Sequence, residues 1–182
     1  MDVQAVATLL TPSSDPQTEA VWDSILEITG SANLQLDGAL HFSWHVAENY
    51  DLPAMMTLLS DLAHTISIFE IQTTGFGVFT ALHPVLYLPI VKTERLSEFH
   101  KAIWNRIYSV SERTIPYYAP ENWMPHITLA NEESDFEGIC KVGNLLMRKP
   151  LFMNFKVDNL AILFRSGSES GIIQRFSVGG QP

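Results

Sequence analysis

The sequence predicts an α+β fold built on antiparallel sheets, with one half of the chain resembling the other. Strand-like runs come in clusters joined by short turns, which favours antiparallel pairing over a doubly wound sheet. The segments His41–Leu59 and His126–Leu146 each read as a strand, an acidic turn and a helix, the mark of an internal duplication of about half the chain. At 182 residues the chain suits one compact domain or two small lobes on a shared core, and residues 1–182 are read as one unit.

The elements follow in order. Val3–Leu10 is β-rich and apolar. A loop, Thr11–Pro16, then offers Asp15 as helix cap and Pro16 at the first helical position. Ala20, Val21, Ile25 and Leu26 recur at helical spacing, and Gly30 ends that helix. Leu34–Val46 reads as a strand with a turn at Asp37-Gly38. Asp51-Leu52-Pro53 opens a second helix, whose buried stripe takes Met55, Met56, Leu58, Leu59 and Leu62. Strands are expected at Ile66–Gln72, Gly75–Thr80 and Pro84–Val91, and a third helix at Thr93–Ser109. An aromatic loop, Tyr117–Trp123, leads into the strand Met124–Ala130, and Asp135–Met147 is a fourth helix. Three strands close the chain: Leu151–Val157, Asn159–Phe164 and Gly171–Ser177.

Composition narrows the function. The formal net charge is −9, and the 11 Lys and Arg residues are scattered, which argues against a non-specific grip on long nucleic acid. A small anionic substrate is still compatible, because a pocket can be locally positive on an acidic protein. Cys140 is the one cysteine, so neither a disulfide framework nor a cysteine-rich zinc site is expected; it is read as a small buried hydrophobe. The N-terminus lacks a basic region before its short apolar stretch, and no apolar run nears a membrane span. A soluble, cytoplasmic monomer is the expectation.

Two short segments carry the chemistry: Leu40-His41-Phe42-Ser43-Trp44 and Pro125-His126-Ile127-Thr128-Leu129. Side chains alternate along a strand, so His41 and Ser43 share one face while Phe42 and Trp44 share the other. The same holds for His126 and Thr128 against Ile127 and Leu129. By composition alone a histidine would head this pattern about 6% of the time, and a chance double comes out at roughly 5%. One copy falls in each half, which favours function over packing. Imidazole titrates near neutrality, so one neutral histidine can take a proton from a water or ribose hydroxyl while a protonated one delivers a proton to the leaving oxygen. Ser43 and Thr128 can donate hydrogen bonds to the non-bridging oxygens as charge builds there. This suits displacement at a phosphodiester and calls for neither metal nor cofactor. A zinc site made of His41, His45 and His126 is the weaker reading, since a catalytic zinc also wants supporting carboxylates.

These segments resemble the paired His-x-Thr/Ser-x motifs of the 2H phosphoesterase superfamily, which includes the 2′–5′ RNA ligase-like proteins and cyclic nucleotide phosphodiesterases. The resemblance extends over nearly the whole chain. It implies a bilobal fold, two pseudo-symmetric lobes with antiparallel sheets and the motifs facing a central cleft. It also implies metal-independent hydrolysis, or reversible ligation, of 2′,3′-cyclic phosphates or 2′–5′ linkages. After Leu129 the chain runs into Ala130-Asn131-Glu132-Glu133-Ser134-Asp135, where such ligases often carry a basic residue. Carboxylates there repel a polyanion, so a small nucleotide or RNA-end phosphodiester is expected. A non-catalytic nucleotide- or phosphate-binding module on the same fold is the alternative.

Further residues are candidates for substrate binding. His45 would share the face of His41 if the strand runs straight. Tyr117, Tyr118 and Trp123 could stack a base, or pin the loop by burial. Arg165, read at the tip of a turn with Ser166-Gly167-Ser168, could reach a phosphate. For Tyr87 strand parity leaves the face open.

Overall fold

The computed structural model describes residues 2–10, 16, 19–23, 40–80, 82, 84–130, 136–167 and 169–179. The strands bounded among them are β1 (Val3–Leu9), β2 (His41–Tyr50), β3 (Phe69–Gln72), β4 (Gly77–Phe79), β5 (Val85–Pro89), β6 (Ser111–Thr114), β7 (His126–Ala130), β8 (Asn154–Val157), β9 (Asn159–Ser166) and β10 (Glu169–Ser177). The helices are α1 (Leu52–Thr65), α2 (Glu94–Ile107) and α3 (Phe136–Leu146). Of the first expected helix, residues 19–23 are helical and bury Val21 and Trp22. The expected turn at Asp37-Gly38 and the acidic run at 131–135 lie outside the described residues.

Local chemistry sets the helix starts. The Asp51 carboxylate caps α1 by accepting the Ala54 N–H at 3.2 Å, with Pro53 in the first turn. Thr93 caps α2 in the same way, its hydroxyl accepting from the Leu96 N–H at 3.2 Å. The buried residues of α2 recur at three- and four-residue steps: Leu96, Phe99, His100, Ile103 and Ile107.

All strand pairs are antiparallel. One sheet has the order β10–β9–β1–β2–β6. The other side of the molecule is built from β4–β5–β7 and the pair β3–β8. A bridge between Thr73 and Ile90, with the Val91 N–H donating to the Gln72 carbonyl at 2.8 Å, joins these two pieces. The element order repeats: β1, the helical 19–23 segment, β2 and α1 are echoed by β5, α2, β7 and α3. In each copy the second strand lies antiparallel beside the first. A contiguous apolar cluster runs from Phe42 and Trp44 of β2 through Ile103 of α2 to Ile127 of β7 and Phe155 of β8.

Several boundaries differ from the sequence reading. β2 continues to Tyr50, past the expected end at Val46. No element is expected at Ser111–Thr114, yet these residues form β6 on the far edge of β2. They are half-buried only at the two ends, so they lack the apolar alternation that marks a strand. Cys140 is exposed on α3 and not in the core, because the buried residues Ile139, Val142 and Leu146 define a stripe that passes beside it.

Candidate active site

The first motif occupies the start of β2. His41 pairs with Leu9 and Ser43 with Ala7 across β1, and both motif side chains are half-buried. A small apolar cluster of Ala7, Leu9, Ala161 and Leu163 lies on this face of the sheet. Phe42 and Trp44 point the other way, into the main core, where the Trp44 indole N–H donates to the Thr8 hydroxyl at 2.9 Å.

Just past the hydroxyl the register breaks. Ala7 pairs with Ser43 but Val6 pairs with His45, so Trp44 is the extra residue of a β-bulge. The bulge inverts the count by twos, and both Trp44 and His45 end on the core side, each 0% exposed. His45 is therefore not on the face of His41, as a straight strand would put it. Its Nδ1 contacts the Tyr50 hydroxyl at 2.8 Å and its ring packs on Trp104, while Nε2 has no hydrogen-bond partner among the described residues.

Burial, with His100 nearby, lowers the His45 pKa to about 4. Burial likewise lowers His100 to about 4, against the opposing pull of the Trp44 carbonyl it contacts at 2.9 Å. Between an unfolded value near 6.5 and about 4, the unfolded chain binds more protons than the folded one. Stability should thus rise with pH across that window and be lost on acidification, by about 3 kcal/mol for either histidine alone. Urea unfolding at a series of pH values tests this with His45→Phe, which should lose less stability on acidification than the parent. Equal slopes would mean that His45 is not held neutral by burial.

The second motif occupies β7. The His126 Nδ1–H donates to the Met124 carbonyl at 2.7 Å, which fixes the tautomer and leaves the Nε2 lone pair for chemistry. Burial lowers the pKa of His126, and the Met124 carbonyl offsets part of that. Opposite on β5, Pro89 pairs with His126 and Tyr87 with Thr128. Tyr87 therefore belongs to the motif face, which parity alone could not decide. Its ring stacks on Phe79 at 4.0 Å, and both rings meet His126, at 5.4 and 5.0 Å. Past Thr128 the register breaks again: Leu86 pairs with Ala130, so Leu129 is the surplus residue. Each motif strand thus carries a bulge at the third residue after its histidine, where such irregularities re-aim side chains.

The two motif strands are tied together by the segment before His126. The Trp123 indole N–H donates to the Ser43 carbonyl at 3.1 Å, and the ring stacks on Trp44 at 5.4 Å and on His100 at 3.8 Å. At 2% exposure Trp123 is a buried pin and is not open to a base. Tyr118 is half-buried beside Ser43; burial raises its pKa and the Ser43 hydroxyl opposes the shift. Tyr117 is 80% exposed. Arg165 lies not at a hairpin tip but within β9, opposite Val3 and Ser170. That is six residues along β1 from the Leu9–His41 row, on the order of 20 Å, so the phosphate role expected for Arg165 does not fit. Among the described residues no three His, Cys, Asp or Glu side chains are grouped to hold a metal ion, and no helix is long and apolar enough to cross a membrane. Sequence reasoning missed Phe79 and His100. A histidine inside the apolar stripe of α2 was the available signal for the second.

The sequence matches the 2′-5′ RNA ligase superfamily over residues 8–169. This chain belongs to that superfamily. The membership bears out the resemblance to the 2H phosphoesterase superfamily. A Bacillus licheniformis protein, whose own phosphoesterase assignment is provisional, is 28% identical over 109 residues; the match covers 60% of this chain, which spans 60% of that relative's length. Protein TT0787 of Thermus thermophilus superposes with a TM-score of 0.65 at 17% identity, covering 100% of both chains. Escherichia coli LigT in complex with 3′-AMP superposes with a TM-score of 0.60 at 14% identity, over 98% of this chain and 99% of LigT. LigT with NADP+ gives 0.59 at 14% identity and 97% of each chain. These likenesses establish the two-lobed α+β fold.

Proposed function

We propose that residues 1–182 form one metal-independent phosphodiesterase unit for 2′,3′-cyclic phosphates or 2′–5′-linked nucleotide ends. The observation that carries this reading is the repetition of imidazole, hydroxyl and bulge on two strands that Trp123 ties together. Superfamily membership supports phosphoester chemistry. The 3′-AMP and NADP+ complexes of LigT support a small nucleotide as substrate.

In this reading His126, kept neutral by burial, takes a proton from the attacking water through Nε2. The water oxygen bonds to phosphorus, the ester P–O bond opposite it breaks, and His41 in its protonated form delivers a proton to the departing oxygen. Ser43 and Thr128 donate to the non-bridging oxygens, on which negative charge grows. The pair ends with its protonation states exchanged, and solvent restores them.

The test is hydrolysis of the four 2′,3′-cyclic nucleotides and a 2′–5′ dinucleotide in the presence of a chelator. The parent protein should release nucleoside monophosphates at the same rate with and without chelator, and the doubly substituted His41→Ala/His126→Ala protein should be inert. Undiminished turnover in the double variant, or loss of activity on chelation, overturns the reading. Tight nucleotide binding without turnover would assign a binding module instead.

A further inference from the structure

Phe79 and Tyr87 belong to neither motif, yet they stand on the motif face of β4 and β5. Gly77 pairs with Tyr87, and Tyr87 with Thr128, so these three residues form one row across the sheet. The glycine is needed there: a Cβ at Gly77 would fall 2.6 Å from the Tyr87 ring and its hydroxyl. Freed from that clash, the Tyr87 ring lies back over β4 and stacks on Phe79, with 17° between the ring planes. The centroid distances of 4.0 Å for Phe79–Tyr87, 5.0 Å for Phe79–His126 and 5.4 Å for Tyr87–His126 close a triangle. In that triangle the imidazole stands beside the two-ring stack and not on its outer face. Tyr87 is buried and covers one face of Phe79, whereas Phe79 is half-buried. Phe79 thus keeps part of its surface accessible, with its ring centroid 5.0 Å from that of His126.

We infer that the Phe79–Tyr87 stack is the subsite for a nucleobase attached to the scissile phosphodiester. This rests on the phosphodiesterase reading and deepens it. A planar ring continuing the stack on Phe79 would lie beside the imidazole that acts on its own phosphate. A puckered ribose or a branched alkyl group has no π-face to continue the stack there. Base–aromatic stacking is tolerant of base identity, so the subsite would separate nucleotides from other phosphodiesters while accepting several bases.

The experiment compares kcat/KM for adenosine 2′,3′-cyclic phosphate and for base-free ribose 2,3-cyclic phosphate. The parent should favour the nucleotide by about 5- to 150-fold, the range expected for one stacked base. In Phe79→Ala and Phe79→Leu that ratio should collapse toward one, and Phe79→Trp should restore it. Gly77→Ala, which displaces Tyr87, should lower the ratio too. A ratio unchanged by Phe79→Ala overturns the inference even if His126→Ala abolishes both reactions, which would leave the phosphodiesterase reading standing. Should the parent hydrolyse neither compound, calorimetric titration with 3′-AMP against ribose 3-phosphate reads the same preference. Equal affinities in parent and Phe79→Ala would overturn the subsite there as well.

Discussion

Replacing His126 with alanine should lower kcat on a 2′,3′-cyclic nucleotide by about 10²- to 10⁴-fold, the usual contribution of one positioned acid or base. The Met124 carbonyl engages the Nδ1 proton, so Nε2 is the ring nitrogen left for proton transfer in the proposed reaction, and the Phe79 and Tyr87 rings flank the imidazole. Because burial lowers the pKa of His126, the neutral base form should persist below the ordinary histidine value. The acid limb of the rate profile should therefore lie on the acidic side of about pH 6.5, and the residual rate of the alanine variant should lack it. Steady-state kinetics across the mildly acidic to neutral range reads both. A loss smaller than about threefold, or an unchanged acid limb, would remove His126 from the chemistry.

Trp44→Ala should cost about 3–5 kcal/mol of folding free energy, as a large buried aromatic does when truncated. Trp44 is fully buried, packs against Phe42, Phe99 and Trp123, and donates to Thr8. Its removal opens a cavity at the junction of the two lobes and takes away the ring on which Trp123 stacks. Trp44→Phe should cost less, since the apolar contact is largely kept and the Thr8 hydroxyl still donates to the Asn159 carbonyl at 2.9 Å. Denaturant unfolding of both variants gives the comparison. A loss under about 1 kcal/mol for the alanine variant would mean that the junction repacks.

The motif faces were legible because period-two alternation holds across each triplet: His41, Phe42, Ser43, and His126, Ile127, Thr128. Legibility failed one residue later, where a single surplus residue reset the alternation and carried His45 into the core. Nothing in Trp44 or Leu129 announces a bulge, since each is the apolar residue that a straight strand would also bury. Strand partners were equally hidden. That Tyr87 lies on the motif face depends on its pairing with Thr128, between segments far apart in sequence. The aromatic loop misled in a different way. Tyr117, Tyr118 and Trp123 look alike on paper, but only Tyr117 is exposed, while Trp123 commits its indole N–H to a carbonyl inside the fold. Arg165 failed because β9 runs on to Ser166, which moves the residue from a turn into a strand.

The surplus residues at Trp44 and Leu129 also bear on ancestry. If the two lobes descend from one copied gene segment, a segment that already carried the irregularity accounts for its recurrence at the same step. A self-associating ancestor of half the present length would then have set two chemically equivalent imidazoles across its symmetry axis. Division into proton donor and proton acceptor would have followed fusion, once each copy could acquire its own neighbours, as His126 has in Phe79 and Tyr87.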